Sequence, residues 1–256
     1  MNPFLPEEWR VESLRLTLFT TPEPVDTRDW WDSSVGLPAL ETASKKMGGE
    51  TTSSGTLAGQ ALQLVVTPMR VDWLLTAPEP TAEDPPQTIP TIGPIDDALS
   101  EFGKLVHRWL DTAQPRARRL ALGVVLLHPE PDADAAMRSL QAFLPVSLEA
   151  GPVSDFLFQI NRRQASQTTP ALELNRLSKW SRAMFQRVAL QVTAASAGGG
   201  LSAAQMPIGA AAYFSRLELD INTAQEFSGV LEASQLKAVF DELATNALEV
   251  AKVGIK

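Results

Sequence analysis

The densest group of side chains that could bind a metal ion or exchange protons follows an apolar segment and comprises His128, Glu130, Asp132 and Asp134. Sites of this kind often lie where a buried strand ends. Pro129 and Pro131 keep the stretch extended, however, so its ligands would not converge on one centre. A proline turn followed by an acidic helix cap explains the group more simply. We therefore predict no catalytic residue and no metal ligand here.

A second set of carboxylates lies on a predicted strand near the end of the chain. Glu218 and Asp220 alternate with apolar residues, so they share one strand face, and with Asp155 they could hold the metal of an enzyme acting on a nucleotide or nucleic acid. A solvated strand face explains the same spacing more simply. The sequence contains no Gly-x-Ser-x-Gly motif that could supply a nucleophile for His107. The glycines at 198–200 are not followed by the Lys-Ser or Lys-Thr of a phosphate loop. The sequence predicts no cofactor.

Two groups of residues suit binding better than catalysis. Trp30 and Trp31 are flanked by acidic residues in a long loop, and tryptophan is enriched at binding hot spots, although burial against the protein's own sheet is the simpler explanation. Residues 1–115 carry 8 basic and 17 acidic side chains, whereas 116–230 carry 11 and 9. A rim for an acidic protein or a single-stranded nucleic acid would comprise Arg162, Arg163, Arg176, Lys179, Trp180, Arg182, Arg187 and Arg216. Ion pairing on a solvated face is the alternative.

Composition limits the remaining classes of function. The 256 residues include no cysteine, which excludes disulfides and thiol chemistry, and their formal net charge is −8 with a pI near 4.9. That charge disfavours indiscriminate binding to nucleic acid. The amino terminus is acidic and no apolar run is long enough to span a membrane, so we expect a cytoplasmic protein with no membrane contact.

Periodicity predicts seven strands, at about 10–19, 62–66, 71–75, 120–127, 156–164, 182–193 and 213–222. Amphipathic spacing predicts long helices at 96–112 and 234–250, and a shorter one after Asp132. The proline-rich segment 77–94 reads as an exposed connection, and the small residues of 194–212 as a flexible loop. We predict one α+β domain with an antiparallel-rich mixed sheet. Two β-β-β-α halves, 1–115 and 116–256, are a further option.

One resemblance to a family rests on the carboxyl-terminal third. The segments YFSRLELDIN (213–222) and QLKAVFDELATNALEVAK (235–252), with three strands before a helix, resemble a sporadically distributed family of uncharacterised bacterial proteins of similar length. The resemblance implies the strand and helix order and no activity. Because few residues suit catalysis while aromatic and arginine-rich candidate surfaces remain, we predict a non-catalytic interaction or accessory module that binds a protein or forms homo-oligomers. Nucleic acid is a less favoured partner, and the metal-dependent enzyme is the alternative function.

Overall fold

A computed structural model describes residues 8–21, 27–45, 48–80, 88–147, 155–194 and 201–255; for 190–194 and 201–204 it describes the backbone alone. Ten strands form one antiparallel sheet. In chain order they are β1 Arg10–Thr20, β2 Glu41–Lys45, β3 Glu50–Leu57, β4 Gln60–Thr67, β5 Arg70–Thr76, β6 Gly93–Pro94, β7 Ala117–Glu130, β8 Leu157–Ala165, β9 Glu173–Ala194 and β10 Leu201–Thr223. The helices are α1 Trp30–Val35, α2 Ile95–Ala113, α3 Ala133–Gln141 and α4 Ala233–Val253.

The predicted fold is wrong in its strand count and in its mixed sheet. The described residues form ten strands instead of about seven, four helices instead of three, and only antiparallel pairs. The hairpin β2–β3 was missed because Ser and Thr replace the apolar alternation that identifies a half-buried strand. Residues 201–212, predicted as a loop, belong to β10. The triple glycine 198–200 lies outside the described residues.

The sheet runs in the order β2-β3-β4-β5-β1-β7-β10-β9-β8, with β6 paired to β1 at one end. β1 pairs with β5 on one side and with β7 on the other, so strands from both halves of the chain share one sheet. Its alternation puts Leu14, Leu16 and Leu18 on one face, where all three are fully buried. The central strands thus join the amino-terminal and carboxyl-terminal parts of the chain around one core.

Helices α2 and α4 cover that apolar face. Residues at three- and four-residue steps face the sheet from α2, including Phe102, Val106 and Trp109, and from α4, including Val239 and Leu243. Pro115 follows α2, and Gln114 ends the helix in the left-handed conformation. The opposite face of the sheet has no helix among the described residues, and we call it the open face.

A cluster of four tryptophans attaches α1 to the sheet. Trp31 stacks on Trp73 with ring centroids 5.8 Å apart, and Trp30 meets Trp109 edge-on at 5.5 Å. Trp31 lies so close to β3 that a Cβ added to Gly55 would be 2.6 Å from its Cζ2 atom. The fold therefore needs glycine at position 55 for the close approach of a ring.

Replacing Gly55 by alanine is expected to lower the free energy of unfolding by about 1–3 kcal/mol, because the added methyl displaces Trp31 from a packed core. Gly103→Ala is the matched control. A Cβ there meets only Phe240 at 3.7 Å, an ordinary contact, and alanine stabilises a helix interior by roughly 0.5–1 kcal/mol relative to glycine. Urea unfolding of both variants would measure the two opposite changes. Equal stabilities of wild type and Gly55→Ala would contradict the close approach.

Candidate protein-interaction surface

Within the described residues, the longest hairpin extends beyond the neighbouring strands of the sheet and continues as two strands that pair only with each other. β8 pairs with β9 only as far as Ser181, and β7 pairs with β10 only from Tyr213 onward. From there β9 and β10 pair with each other as far as Ala194 and Leu201. We call residues 182–194 and 201–212 the arm. At about 3.3 Å per residue, the arm extends roughly 40 Å beyond the last residue of β9 that pairs with β8.

Apolar side chains are exposed on both faces of the arm. Val188 pairs with Pro207 and Met184 with Tyr213, so these four lie on one face, which we call the Met184 face. The other face carries Ile208, which pairs with Arg187, and Met206. Four large apolar side chains here are each about half exposed: Met184 57%, Val188 57%, Met206 52% and Ile208 44%. The described residues include nine large apolar side chains this exposed, so nearly half of them lie on the arm.

A break in the ladder distorts the β10 edge of the arm. The register shifts between Ile208 and Ala212, where three residues of β10 oppose a single residue of β9, Gln186. Gly209 supplies the positive φ of 75° that this bulge requires. Pro207 has no backbone N–H to offer to an added strand. Addition of another strand at this edge is therefore hindered.

The arm contains no acidic residue, although the whole chain is acidic. Between Leu174 and Leu217 the sequence has five basic side chains and no Asp or Glu. Two of the five, Arg182 and Arg187, belong to the arm itself. The arm therefore differs in charge from the remainder of a protein whose net charge is −8.

Neither tryptophan of the predicted binding loop is exposed. Trp30 and Trp31 are 5% and 3% exposed, and the Nε1–H of Trp31 donates to the carbonyl oxygen of Leu37 at 3.1 Å. Both rings pack α1 against the sheet, in agreement with the simpler explanation given above, burial against the protein's own sheet. Trp180, placed in the basic rim, is also fully buried and stacks on Phe143 at 5.5 Å. None of these three rings can reach a partner from its position in this fold.

The predicted basic residues do not form one surface, because alternation along β8 and β9 divides them between the two sheet faces. Arg162 and Arg176 lie on the helix-covered side: Arg162 donates to the carbonyl oxygen of Ile255 at 2.6 Å, and Arg176 approaches Glu249 at 3.2 Å. Arg182 is on the same side of β9, and Arg187 lies on the other side, along the arm.

On the open face the basic side chains are bound to acids of the same face. Arg163 contacts Glu173 and Glu226, and Lys179 approaches Glu218 at 3.0 Å. Arg216 bridges Glu12 at 3.2 Å and Glu218 at 3.6 Å. These pairs match the ion-paired, solvated face that was the alternative explanation, and they reduce the positive charge that Arg163, Lys179 and Arg216 could offer to phosphates.

His128 lies beside a carboxylate that also binds a hydroxyl, but the arrangement of the three groups does not suit catalysis. Its Nδ1 is 2.9 Å from Glu130 Oε1, and the same oxygen accepts a hydrogen bond from Ser215 Oγ at 2.8 Å. The carboxylate thus lies between the imidazole and the hydroxyl, whereas an activated serine needs the imidazole beside it. Ser215 is fully buried and also contacts the carbonyl oxygen of Ala136 at 3.1 Å. The group joins β7, β10 and α3.

Electrostatics within this group favour a charged Glu130. Burial would raise the pKa of Glu130, but hydrogen bonds from His128, Ser139 and Ser215 outweigh burial and hold that pKa below its ordinary value. A nearby helix cap completes the region, since Asp132 Oδ1 accepts from the Ala135 N–H at 2.7 Å. The acidic turn after β7 is therefore built from structural contacts.

The carboxylates of the alternative enzyme hypothesis are engaged with other partners. Glu218 binds Lys179 and Arg216, and Asp220 accepts from Asn222 Nδ2 at 2.9 Å. Within the described part of the chain, no three His, Asp or Glu side chains are grouped so that they could hold a metal ion. His107 contacts Asp241 at 2.7 Å and connects the exposed sides of α2 and α4.

The sequence predicted the β9 side of the arm as a strand at 182–193, but its β10 side was missed because small residues were taken as a sign of a loop. Two signals were present in the chain. β-branched and apolar residues flank the triple glycine on both sides, a pattern typical of a hairpin, and acidic residues are absent over more than forty positions. Neither signal shows that the hairpin extends beyond its neighbouring strands.

Comparisons with known proteins do not assign the chain to a group. No family model matches it, and neither the curated proteins nor the solved structures contain a significant match. The resemblance to a bacterial family therefore stays an expectation from the sequence. None of the described helices is long and apolar enough to cross a membrane.

Proposed function

We propose that this chain is a non-catalytic interaction module that binds another protein chain through the arm. The observation that carries the proposal is the concentration of half-exposed apolar side chains on a two-stranded ribbon without acidic residues. A two-stranded hairpin is marginally stable in water by itself, and a contact on its faces would bury these side chains. On the open face, by contrast, Arg163, Lys179 and Arg216 are paired with acidic side chains.

A protein suits the arm better than the other partners considered. Binding to nucleic acid relies on several cations that neutralise phosphates, and the arm has two arginines in a chain of net charge −8. Met, Val, Ile and Pro side chains instead match the apolar centre of a protein interface. The metal-dependent enzyme is less well supported, because Glu218 is bound by two basic side chains.

The proposal is tested by placing a photoreactive phenylalanine derivative at position 188 in cells. We expect a covalent adduct with a protein there and none with the same group at Met69, an equally exposed residue in the turn between β4 and β5. The captured protein, once identified and purified, should bind a Met184→Ser plus Val188→Ser variant about tenfold more weakly or worse, because both side chains lie on the face that carries the photoreactive group. Equal adducts at both positions, none at 188, or an unchanged affinity would refute the proposal.

A further inference from the structure

We propose that a depression on the open face of the sheet, with Gly123 at its floor, binds a small zwitterion, a free amino acid with an aliphatic side chain. The depression lies on the central strands and outside the arm, so this site is independent of the proposed function. Two observations support it: a glycine that the fold does not require, and opposite charges on the two sides of that glycine.

Gly123 lies in the interior of β7, where glycine weakens a strand. Its backbone does not require glycine: it pairs with Arg15 of β1 and with Asp220 of β10 without a register shift, and its φ is not positive. Packing does not require glycine either, since the atoms nearest to an added Cβ belong to Arg15, at 3.8 Å, an ordinary contact distance. A glycine inside a strand often marks the close approach of a ligand.

Above Gly123 the open face has a depression of about 370 Å³. This volume lies within the range of small-molecule sites, roughly 300–1,000 Å³. Gly123 faces the depression because its chain neighbours, Leu122 and Val124, are fully buried on the helix-covered face of the sheet. The depression also has apolar walls on three strands, formed by Leu74 of β5, Val125 of β7 and Leu177 of β9.

Opposite charges lie on the two sides of Gly123. Arg15 and Asp220 are its direct partners on β1 and β10, so their Cα atoms are two strand spacings, about 10 Å, apart. Arg15 is exposed, and its guanidinium has no hydrogen bond or ion pair with the described residues. Within the same part of the chain, Asp220 is bound only by the Nδ2 of Asn222, at 2.9 Å, and a neutral amide leaves the charge of the carboxylate in place.

The other charged side chains that line the depression compensate each other, since Lys179 and Glu218 pair at 3.0 Å. A ligand with both charges therefore matches the site, with its carboxylate toward Arg15 and its ammonium toward Asp220. A simple anion would be repelled by Asp220 and by the net charge of −8, and a simple cation by Arg15. The apolar walls match an aliphatic side chain.

Titration of the isotope-labelled chain with L-leucine, followed by nuclear magnetic resonance, tests the proposal. The amide signal of Gly123 should shift and saturate with a dissociation constant on the order of 1 mM, because the site is open to solvent on one side. Two matched probes lack one charge each: isocaproate has no ammonium group and isoamylamine has no carboxylate. Both should bind about fivefold more weakly than leucine or worse. Equal binding of either probe, or no shift at Gly123 up to about 50 mM leucine, would refute the proposal.

Substitutions at the floor and at the cation separate binding from folding. Gly123→Ala adds a methyl group without a steric conflict, so it should raise the melting temperature by about 1–3 °C and weaken leucine binding by about threefold or more. Gly103→Ala, on α2 at the other face of the sheet, should leave binding unchanged. Arg15→Gln should remove the preference for leucine over isoamylamine, because the carboxylate loses its partner. A lower melting temperature of Gly123→Ala, or unchanged leucine binding in either site variant, would overturn the proposal.

Discussion

Replacing Trp109 by alanine is expected to lower the free energy of unfolding by about 3–5 kcal/mol, the cost of removing a large aromatic ring from a packed interior. Trp109 is fully buried on α2 and contacts Trp30 at 5.5 Å and Trp73 at 6.0 Å, both edge-on. Its loss would open a cavity between α1, α2 and β5. Urea unfolding followed by far-ultraviolet circular dichroism would measure the change.

Trp109→Phe is the control for this substitution. The indole N–H of Trp109 is buried and has no hydrogen-bond partner among the described residues, so replacing it by phenylalanine removes an unsatisfied donor along with some apolar contact. We expect a loss well below that of alanine, roughly 1–2 kcal/mol. Equal destabilisation of the two variants would contradict the explanation from the lost volume of the ring.

The second large effect is expected at Glu242, which ties the turn between β8 and β9 to α4. Its carboxylate is 8% exposed and accepts from Ser166 Oγ at 2.6 Å, from the Gln167 N–H at 2.8 Å and from Thr168 Oγ1 at 2.8 Å. Glu242→Gln replaces one acceptor oxygen by a donor that faces donors. We expect it to cost about 2–3 kcal/mol at neutral pH, because buried donors lose a charged partner.

The same contacts make this stabilisation depend on pH. Burial would raise the pKa of Glu242, but the hydrogen bonds from Ser166, Gln167 and Thr168 outweigh it, and that pKa lies below its ordinary value. A carboxyl with a depressed pKa in the folded state stabilises the fold fully above its unfolded pKa of about 4.3, and the stabilisation is lost as the pH falls through the folded value.

Unfolding of wild type and Glu242→Gln at a series of pH values would show this. The difference between them should be constant from about pH 7 to about pH 5 and should shrink in more acidic solution. Thr245→Val, at an exposed hydroxyl that contacts only its own helix at Asp241, serves as a control without such a trend. A difference that stayed constant down to about pH 3 would contradict the role of the carboxylate.

Elements with an apolar period could be predicted from the sequence. Residues 120–127 are apolar on both alternations, which is typical of a strand that is covered on two faces or central in its sheet, and β7 lies centrally, between β1 and β10. The periodicity at 96–112 also identified α2. By contrast, β3 is built of Glu, Thr, Ser and Gly with a single Leu at its end, and its alternation carries no apolar signal. Its place in the sheet depends on β4 and on the ring of Trp31 above Gly55, contacts that no local pattern records.

The binding surface was harder to predict than the fold, because binding depends on what surrounds a residue. Lys179 and Arg216 are basic in the sequence, but neutralisation by Glu218 depends on the register of β9 against β10. Trp30 and Trp31 look exposed in a polar loop, yet the partners that bury them, Trp73 and Trp109, lie more than forty residues further along the chain.

The central position of β7 also has a consequence for synthesis on the ribosome. This apolar strand pairs with β10, which ends at Thr223, and α4 covers the sheet only once Val253 has been made. At about 5–20 residues per second, translation from the end of β7 to the end of α4 takes roughly 6–25 s. During that interval the nascent chain exposes the apolar segment 120–127 with one edge unpaired. The yield of folded protein in a cell should therefore depend on chaperones that bind such segments.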